Sequence, residues 1–168
     1  MVDWHKYLRE VCSTELLANP VVIGGPDHVV AIDESVVARR KPGNAQGRPV
    51  PAMWVFGDVD TTTKDFFMQI VPRRDAQTLL PIITRHIAAG STIWSDEWAA
   101  YSGLAGLNGY AHSTVNNSQR FVDPVTGVHT NDIESRWRAC KAVLKKRRGV
   151  ARHIVPDDLD EYMWRCRR

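Results

Sequence analysis

The sequence predicts an α/β fold in which a mixed five-stranded sheet is flanked by helices. Three observations lead there. Strand-like runs follow one another early in the chain. Further strand-like runs then alternate with helical stripes. The chain has 168 residues, 43% of them hydrophobic, which suits one domain with a sizeable core and is too apolar for a disordered chain.

Residues 3–18 read as a helix, with Trp4, Leu8, Val11 and Leu16 near helical spacing, ended by Pro20 and Gly24-Gly25-Pro26. His28-Val29-Val30-Ala31-Ile32 is short, apolar and β-branched, as a strand buried on both faces should be, and it runs into Asp33-Glu34. Residues 39–51 form a basic loop rich in Gly and Pro. Met53–Phe56 and Phe66–Val71 are two more strands, with Asp58–Thr62 as a hairpin connection. Asp75 is placed to cap a helix carrying Leu79, Ile82, Ile83 and Ile87, which Pro81 should kink and Gly90 should end. Ser91–Ser95 is the fourth strand and meets a second acid pair, Asp96-Glu97. A short helix follows through Trp98 and Tyr101, and Tyr110–Val115 is the fifth strand. Beyond a polar loop over 116–130, Ile133, Trp137, Cys140 and Leu144 recur at i, i+4, i+7 and i+11, the buried stripe of a long helix. Leu159, Tyr162 and Met163 mark one more helix. Residues 1–26 are thus a helical lead-in, and 27–168 a catalytic domain if the acids described below act together.

Composition excludes several classes. No apolar run approaches the length of a membrane span, and no basic flank leads into an apolar stretch at the N-terminus, so neither a membrane protein nor a secreted one is expected. The three cysteines, Cys12, Cys140 and Cys166, are odd in number and widely spaced, which points to reduced thiols and not to a disulfide framework or a zinc ribbon. The net charge is only +3, but its distribution is uneven. From Ser135 to Pro156 there are eight basic residues and no acid, a pattern that suits a polyanionic partner.

The two acid pairs carry the chemistry. If both strands are central and parallel, Asp33-Glu34 and Asp96-Glu97 emerge at one edge of the sheet, where open α/β sheets bind ligands. Glu134, in the first turn of the late helix, is a third carboxylate. Converging carboxylates repel without a cation, and Mg²⁺ or Mn²⁺ removes that cost because hard ions prefer carboxylate oxygen. Two such ions roughly 3.5–4 Å apart clamp the attacking and leaving oxygens of a phosphoryl displacement. Each acid also has a bland role: Asp33 closes a strand, Asp96 caps a helix, and Glu134 pairs with Asn131 in a capping box.

Glu134, Arg138, Lys141 and Lys145 form a second stripe on the late helix, which would line an acid up with cations along a phosphate backbone. Simple pairing of Glu134 with Arg138 is the alternative. Lys146, Arg147 and Arg148 extend the basic run, and Arg39, Arg40, Lys41 and Arg48 of the early loop would add to the same groove. Trp54, Trp94, Trp98 and Trp137 are candidates for base stacking, with core packing the expected role for most of them. Glu34, Glu97, His112, Asn116 and His129 are accessory candidates near the site.

Beyond these patterns the chain resembles the Merlin superfamily of DNA transposases and their bacterial relatives, the ISXO2-like transposases. The resemblance is carried by Gly24-Gly25-Pro26 through Ile32-Asp33-Glu34-Ser35, by Trp54-Val55-Phe56-Gly57, and by Thr78-Leu79-Leu80-Pro81-Ile82-Ile83. It continues through Ser95-Asp96-Glu97-Trp98-Ala99-Ala100-Tyr101, Thr114-Val115-Asn116, Phe121–Gly127 and His129-Thr130-Asn131-Asp132-Ile133-Glu134-Ser135-Arg136-Trp137. It implies an RNase H-like fold and a DDE-type reaction: metal-dependent cleavage at the ends of a mobile element, then joining of the freed 3′-hydroxyl to target DNA. The implied acids fall on Asp33, Asp96 and Glu134, with Asn131 as the alternative third ligand because bacterial relatives use asparagine there. Two Mg²⁺ or Mn²⁺ ions, double-stranded DNA as transposon end and target, and a homo-oligomer on DNA are implied with them. Family members often carry an N-terminal DNA-binding module with zinc-binding cysteines, and the sequence at hand begins close to the catalytic domain.

Three functions follow from the sequence: an active transposase core, a stand-alone RNase H-like nuclease, or a domesticated or truncated DNA-binding protein without turnover. The location is nuclear if the source is eukaryotic, with Lys145–Arg148 as an import signal, and cytoplasmic or nucleoid if it is bacterial.

Overall fold

The computed structural model describes residues 4–38, 52–116, 122, 127–146 and 152–167. The elements run α1 (Trp4–Ala18), β1 (Ile23–Gly24), β2 (Val29–Ala38), β3 (Met53–Asp60), β4 (Phe66–Val71), α2 (Ala76–His86), β5 (Ile87–Ala88), β6 (Thr92–Asp96), β7 (Ala111–Val115), α3 (Asn131–Lys146) and α4 (Val155–Cys166). Short 3₁₀ turns cover Ala99–Tyr101 and Arg152–Ile154.

The expected mixed five-stranded sheet is present, in the order β4-β3-β2-β6-β7. β3 is antiparallel to both β2 and β4, whereas β2, β6 and β7 are mutually parallel. Alternation along the central strands sends side chains to two cores. Val30 and Ile32 of β2 join Phe56, Leu79, Ile83, Ile93 and Tyr101 on the α2 side. Ala31 joins Val55, Val59, Ile133, Trp137, Cys140 and Leu159 on the side of α3 and α4. Both faces of the sheet are covered, which is why its strands read as near-continuous apolar runs.

Several local expectations are corrected. The β2 acids do not end their strand: β2 continues to Ala38 because its second half is held by β3, with Asp33 paired to Gly57 and Ser35 to Val55. β3 likewise extends through Asp60, and the turn falls later, at 61–65. The Asp60 carboxylate fixes it there by accepting from the backbone N–H groups of Thr62 (2.8 Å) and Thr63 (3.0 Å). Asp75 caps α2 as expected, accepting from Thr78 N–H at 2.9 Å. The helix then runs unbroken through Pro81, which sits on its exposed side, and stops at His86 and not at Gly90.

After His86 the chain forms β5, a two-residue strand parallel to β1 that was not foreseen. Ser91 clamps this small sheet, accepting from Gly25 N–H (2.8 Å) and donating to Ala88 C=O (2.6 Å). Such two-residue strands lack any periodicity to read. α1 packs through Cys12 and Leu16, while Trp4 (70%), Leu8 (62%) and Val11 (61%) of the expected stripe are exposed.

One close approach ties the fold to the site. Trp137 of α3 lies against Gly57, where a Cβ would come within 2.7 Å of the indole ring and 3.2 Å of Ile133. Only glycine admits the ring. Gly57→Ala is expected to destabilise the protein by about 1–3 kcal/mol through overpacking. Urea unfolding of the two proteins side by side measures it, and equal midpoints would mean the ring has room to move.

Candidate active site

Regular pairing between β2 and β6 ends at Ala31–Trp94. Two residues further along each strand lie Asp33 and Asp96, with Asp33 against Trp137 of α3. Parallel strands in register therefore set the two carboxylates side by side at one edge. Burial, followed by the charge of Glu34 and then that of Asp96, pushes the Asp33 carboxyl up to about 7. The indole N–H of Trp137 donates to Asp33 Oδ2 at 3.0 Å and partly offsets this by favouring the charged form. Asp96 Oδ1 accepts from the backbone N–H of Trp98 at 3.1 Å, a bond that starts the turn after β6.

The partner acids face elsewhere. Glu34 alternates to the opposite side of β2, is buried, and accepts a 2.6 Å hydrogen bond from the Tyr101 hydroxyl. Burial raises its carboxyl, the Tyr101 bond opposes that, and burial likewise drives the Tyr101 hydroxyl well above its usual value. Glu97 is exposed and accepts from Asn116 Nδ2 at 2.7 Å. His112 shares a 2.9 Å hydrogen bond with Ser95, and burial lowers its pKa. His129 packs edge-on against Trp94 with ring centres 5.1 Å apart.

Glu134 is half-buried in the first turn of α3, 3.4 Å from the Thr130 hydroxyl, and Asn131 is the exposed first residue of that helix. The structure brings Asp33 and Asp96 together, but no cluster of three or more His, Cys, Asp or Glu suited to a metal forms among the described residues. The donor chemistry of the pair nonetheless fits a hard divalent ion: two neighbouring carboxylates whose charges repel one another.

Of the expected phosphate contacts, Lys141 is anchored to Ser35 Oγ at 2.6 Å, on the strand that carries Asp33. Arg138, Lys145 and Lys146 are exposed on α3. Arg39, Arg40, Lys41, Arg48, Arg147 and Arg148 lie outside the described residues. Arg136 points away from the acids, donating to Lys64 C=O at 2.6 Å and lying over Phe66. A cavity of about 680 Å³ lined by Leu16, Phe67, Arg85 and Met163 includes none of the acids, so cavity volume does not mark the site.

The Trp137–Asp33 and Tyr101–Glu34 bonds were missed from the sequence. The spacing that marked Trp137 as core was correct and a buried indole N–H needs an acceptor, but nothing in the spacing shows that the acceptor is Asp33. The raised Asp33 carboxyl has a sign. The native state holds a proton that the unfolded chain releases near its ordinary value, so stability falls as pH rises from about 4 toward 7. Without divalent ions, Asp33→Asn is therefore expected to be more stable than wild type at pH 8, by about 2 kcal/mol after halving the full shift for screening, and little different at pH 4. Denaturant midpoints at the two pH values test this; a gain equal at both would assign the effect to packing.

Comparison with known proteins places this geometry. A 28% identical match over 96 residues, 57% of this chain and 76% of the relative, is an uncharacterized transposase-like protein of Haemophilus influenzae. Among solved structures, the catalytic core domain of BIV integrase has a TM-score of 0.54 at 16% identity, with 81% of this chain and 80% of that one covered. The HTLV-2 integrase catalytic core domain in complex with magnesium has a TM-score of 0.53 at 14% identity, covering 83% and 85%. At such identities the likeness shows the fold, which is RNase H-like. Residues 23–166 match the family model of the ISXO2-like transposase domain, and the chain belongs to that family.

Proposed function

We propose that this domain is a DDE-type catalytic core that cuts DNA at the ends of a mobile element and joins the freed 3′-hydroxyl to target DNA. The observation that carries the reading is the placement of Asp33 and Asp96 two residues beyond the last β2–β6 pair, near enough that the charge of Asp96 helps push the Asp33 carboxyl up to about 7. Family membership and an integrase-like fold support it.

Asp33 and Asp96 would hold Mg²⁺ or Mn²⁺, with Glu134 as third ligand and Asn131 as the alternative. When bound, such ions offset charge on the reacting phosphate and favour deprotonation of the attacking water or 3′-hydroxyl. The chain's own groups then have separate tasks. Trp137 holds the Asp33 carboxylate in one orientation. Glu34 and Tyr101 pin the turn that follows Asp96. Arg138, Lys141, Lys145 and Lys146 bind the phosphate backbone of double-stranded DNA, joined by Arg39, Arg40, Lys41, Arg48, Arg147 and Arg148. Glu97, His112, Asn116 and His129 support these groups from the surrounding shell. Work on two DNA ends calls for a homo-oligomer on DNA.

Mn²⁺- or Mg²⁺-dependent nicking of a labelled duplex is expected for wild type. Asp96→Ala should reduce it at least about a hundredfold while DNA affinity is kept. Binding without nicking by either protein would instead favour a DNA-binding descendant that has lost turnover. Nicking without strand joining would favour a stand-alone nuclease.

Log affinity for duplex DNA should fall with log salt at a slope near −0.9 per phosphate contacted. Replacing Arg138, Lys141 and Lys145 by Gln should make that slope shallower by about two to three contacts. An unchanged slope in the triple variant would place the DNA on another face.

A further inference from the structure

Trp98 is an unusual residue to find beside an acid pair. It is 41% exposed although the indole is large and apolar. It is nevertheless held at three points. Its backbone N–H donates to Asp96 Oδ1 at 3.1 Å, and its Nε1–H donates to Arg74 C=O at 3.0 Å. The Arg74 guanidinium lies 4.8 Å from the centre of its ring and 3.8 Å from that of Trp54. The indole is therefore a plate held at the surface by its Nε1–H bond and backed by a cation, on a residue whose backbone is bonded to Asp96. A merely exposed tryptophan would not have its ring fixed both by an Nε1–H bond and by a guanidinium against its face.

Charge agrees with this placement. Arg74 precedes α2 together with Arg73, whose side chain is 77% exposed and whose contact with Asp75 is 4.0 Å, at the limit of an ion pair. Anionic backbone meets these two groups while a flat, neutral π-surface meets the indole. Among biological polymers, a nucleic acid strand offers both, and stacking on an aromatic plate tolerates any base.

We infer that Trp98, backed by Arg74, is a stacking platform for a nucleobase lifted out of the duplex next to the phosphodiester to be cut beside Asp33 and Asp96. This rests on the reading of the site as a DNA-cutting centre, and it adds that the substrate is locally unpaired when it is bound. Unstacking costs free energy, which is smallest where a base is already unpaired. The platform therefore predicts a preference for duplexes carrying an unpaired flank over fully paired ones. It also assigns to Trp98 a role separate from that of the basic face of α3, which binds phosphates without regard to pairing.

The test is DNA affinity by fluorescence anisotropy in Ca²⁺, using two duplexes of equal length, one fully paired and one with a short unpaired flank containing 2-aminopurine. Wild type should prefer the unpaired flank by about tenfold and quench the 2-aminopurine on binding. Trp98→Ala should lose the preference and the quenching while keeping its affinity for the paired duplex, and Trp98→Phe, which keeps a ring, should retain most of both. Thermal melts confirm that each variant is folded. Equal affinity of wild type for the two duplexes, or a Trp98→Ala protein that keeps the preference, overturns the platform. So does a loss that is the same on both duplexes. Failure of wild type to bind either duplex overturns the DNA-cutting reading as well, whereas Asp96-dependent nicking with no pairing preference overturns the platform alone.

Discussion

Parallel pairing of β2 with β6 governs the rest of the molecule. Side chains alternate along a strand, so register decides at once which residues share an edge and which share a face. With Ala31 opposite Trp94, Asp33 and Asp96 fall side by side, Asp33 under Trp137 of α3, and Glu34 is sent to the other face. A slip of one residue would exchange Asp33 for Ile32 in the core and put an apolar side chain at the site. The apolar neighbours Val30, Ile32 and Ile93, all fully buried, make that slip costly. The hydrophobic core thus holds the acids in place without touching their chemistry.

The acids in turn strain the core that positions them. Asp33 sits where burial and two neighbouring carboxylates oppose its charge. Three polar bonds limit the cost: the Trp137 indole to Asp33, the Tyr101 hydroxyl to Glu34, and the Trp98 backbone N–H to Asp96. One donor comes from α3 and two from the turn after β6, so the site is assembled only when both have docked. Gly57 belongs to the same device, because the indole reaches Asp33 across the space its missing side chain leaves. Carboxylates buried this close together cost folding free energy, so this region is not arranged for maximal stability.

α3 shows how one helix serves two purposes. Ile133, Trp137 and Cys140 are buried against the sheet, while Arg138, Lys145 and Lys146 face solvent. Lys141 lies between these sets and ties the helix to Ser35, two residues beyond Asp33. The helix that closes the core over the site is therefore also the one that presents cations beside it. Arg136 departs from this pattern, drawn to the β3–β4 turn by Lys64 C=O and the Phe66 ring.

Much of this was determined by the amino-acid sequence alone. The strand runs, the α3 stripe at Ile133, Trp137 and Cys140, the Asp75 cap and the recurrence of an acid pair after each of two apolar runs are local patterns, and local patterns are legible in a linear string. Family motifs extended the reading to an RNase H-like fold. Element ends were less legible, because partners set them: β2 outruns its acids since β3 is there to pair with it, and β5 exists only because β1 lies alongside. α1 turned a different face inward from the one its apolar spacing suggested, since α4 and not propensity chose the contact. Tertiary structure alone decided that Trp137 donates to Asp33, that the Tyr101 hydroxyl donates to Glu34, and that Trp98 stays exposed on Arg74. Each of these joins residues far apart in the chain, and such contacts depend on register and close approach, which no spacing along one strand or helix encodes.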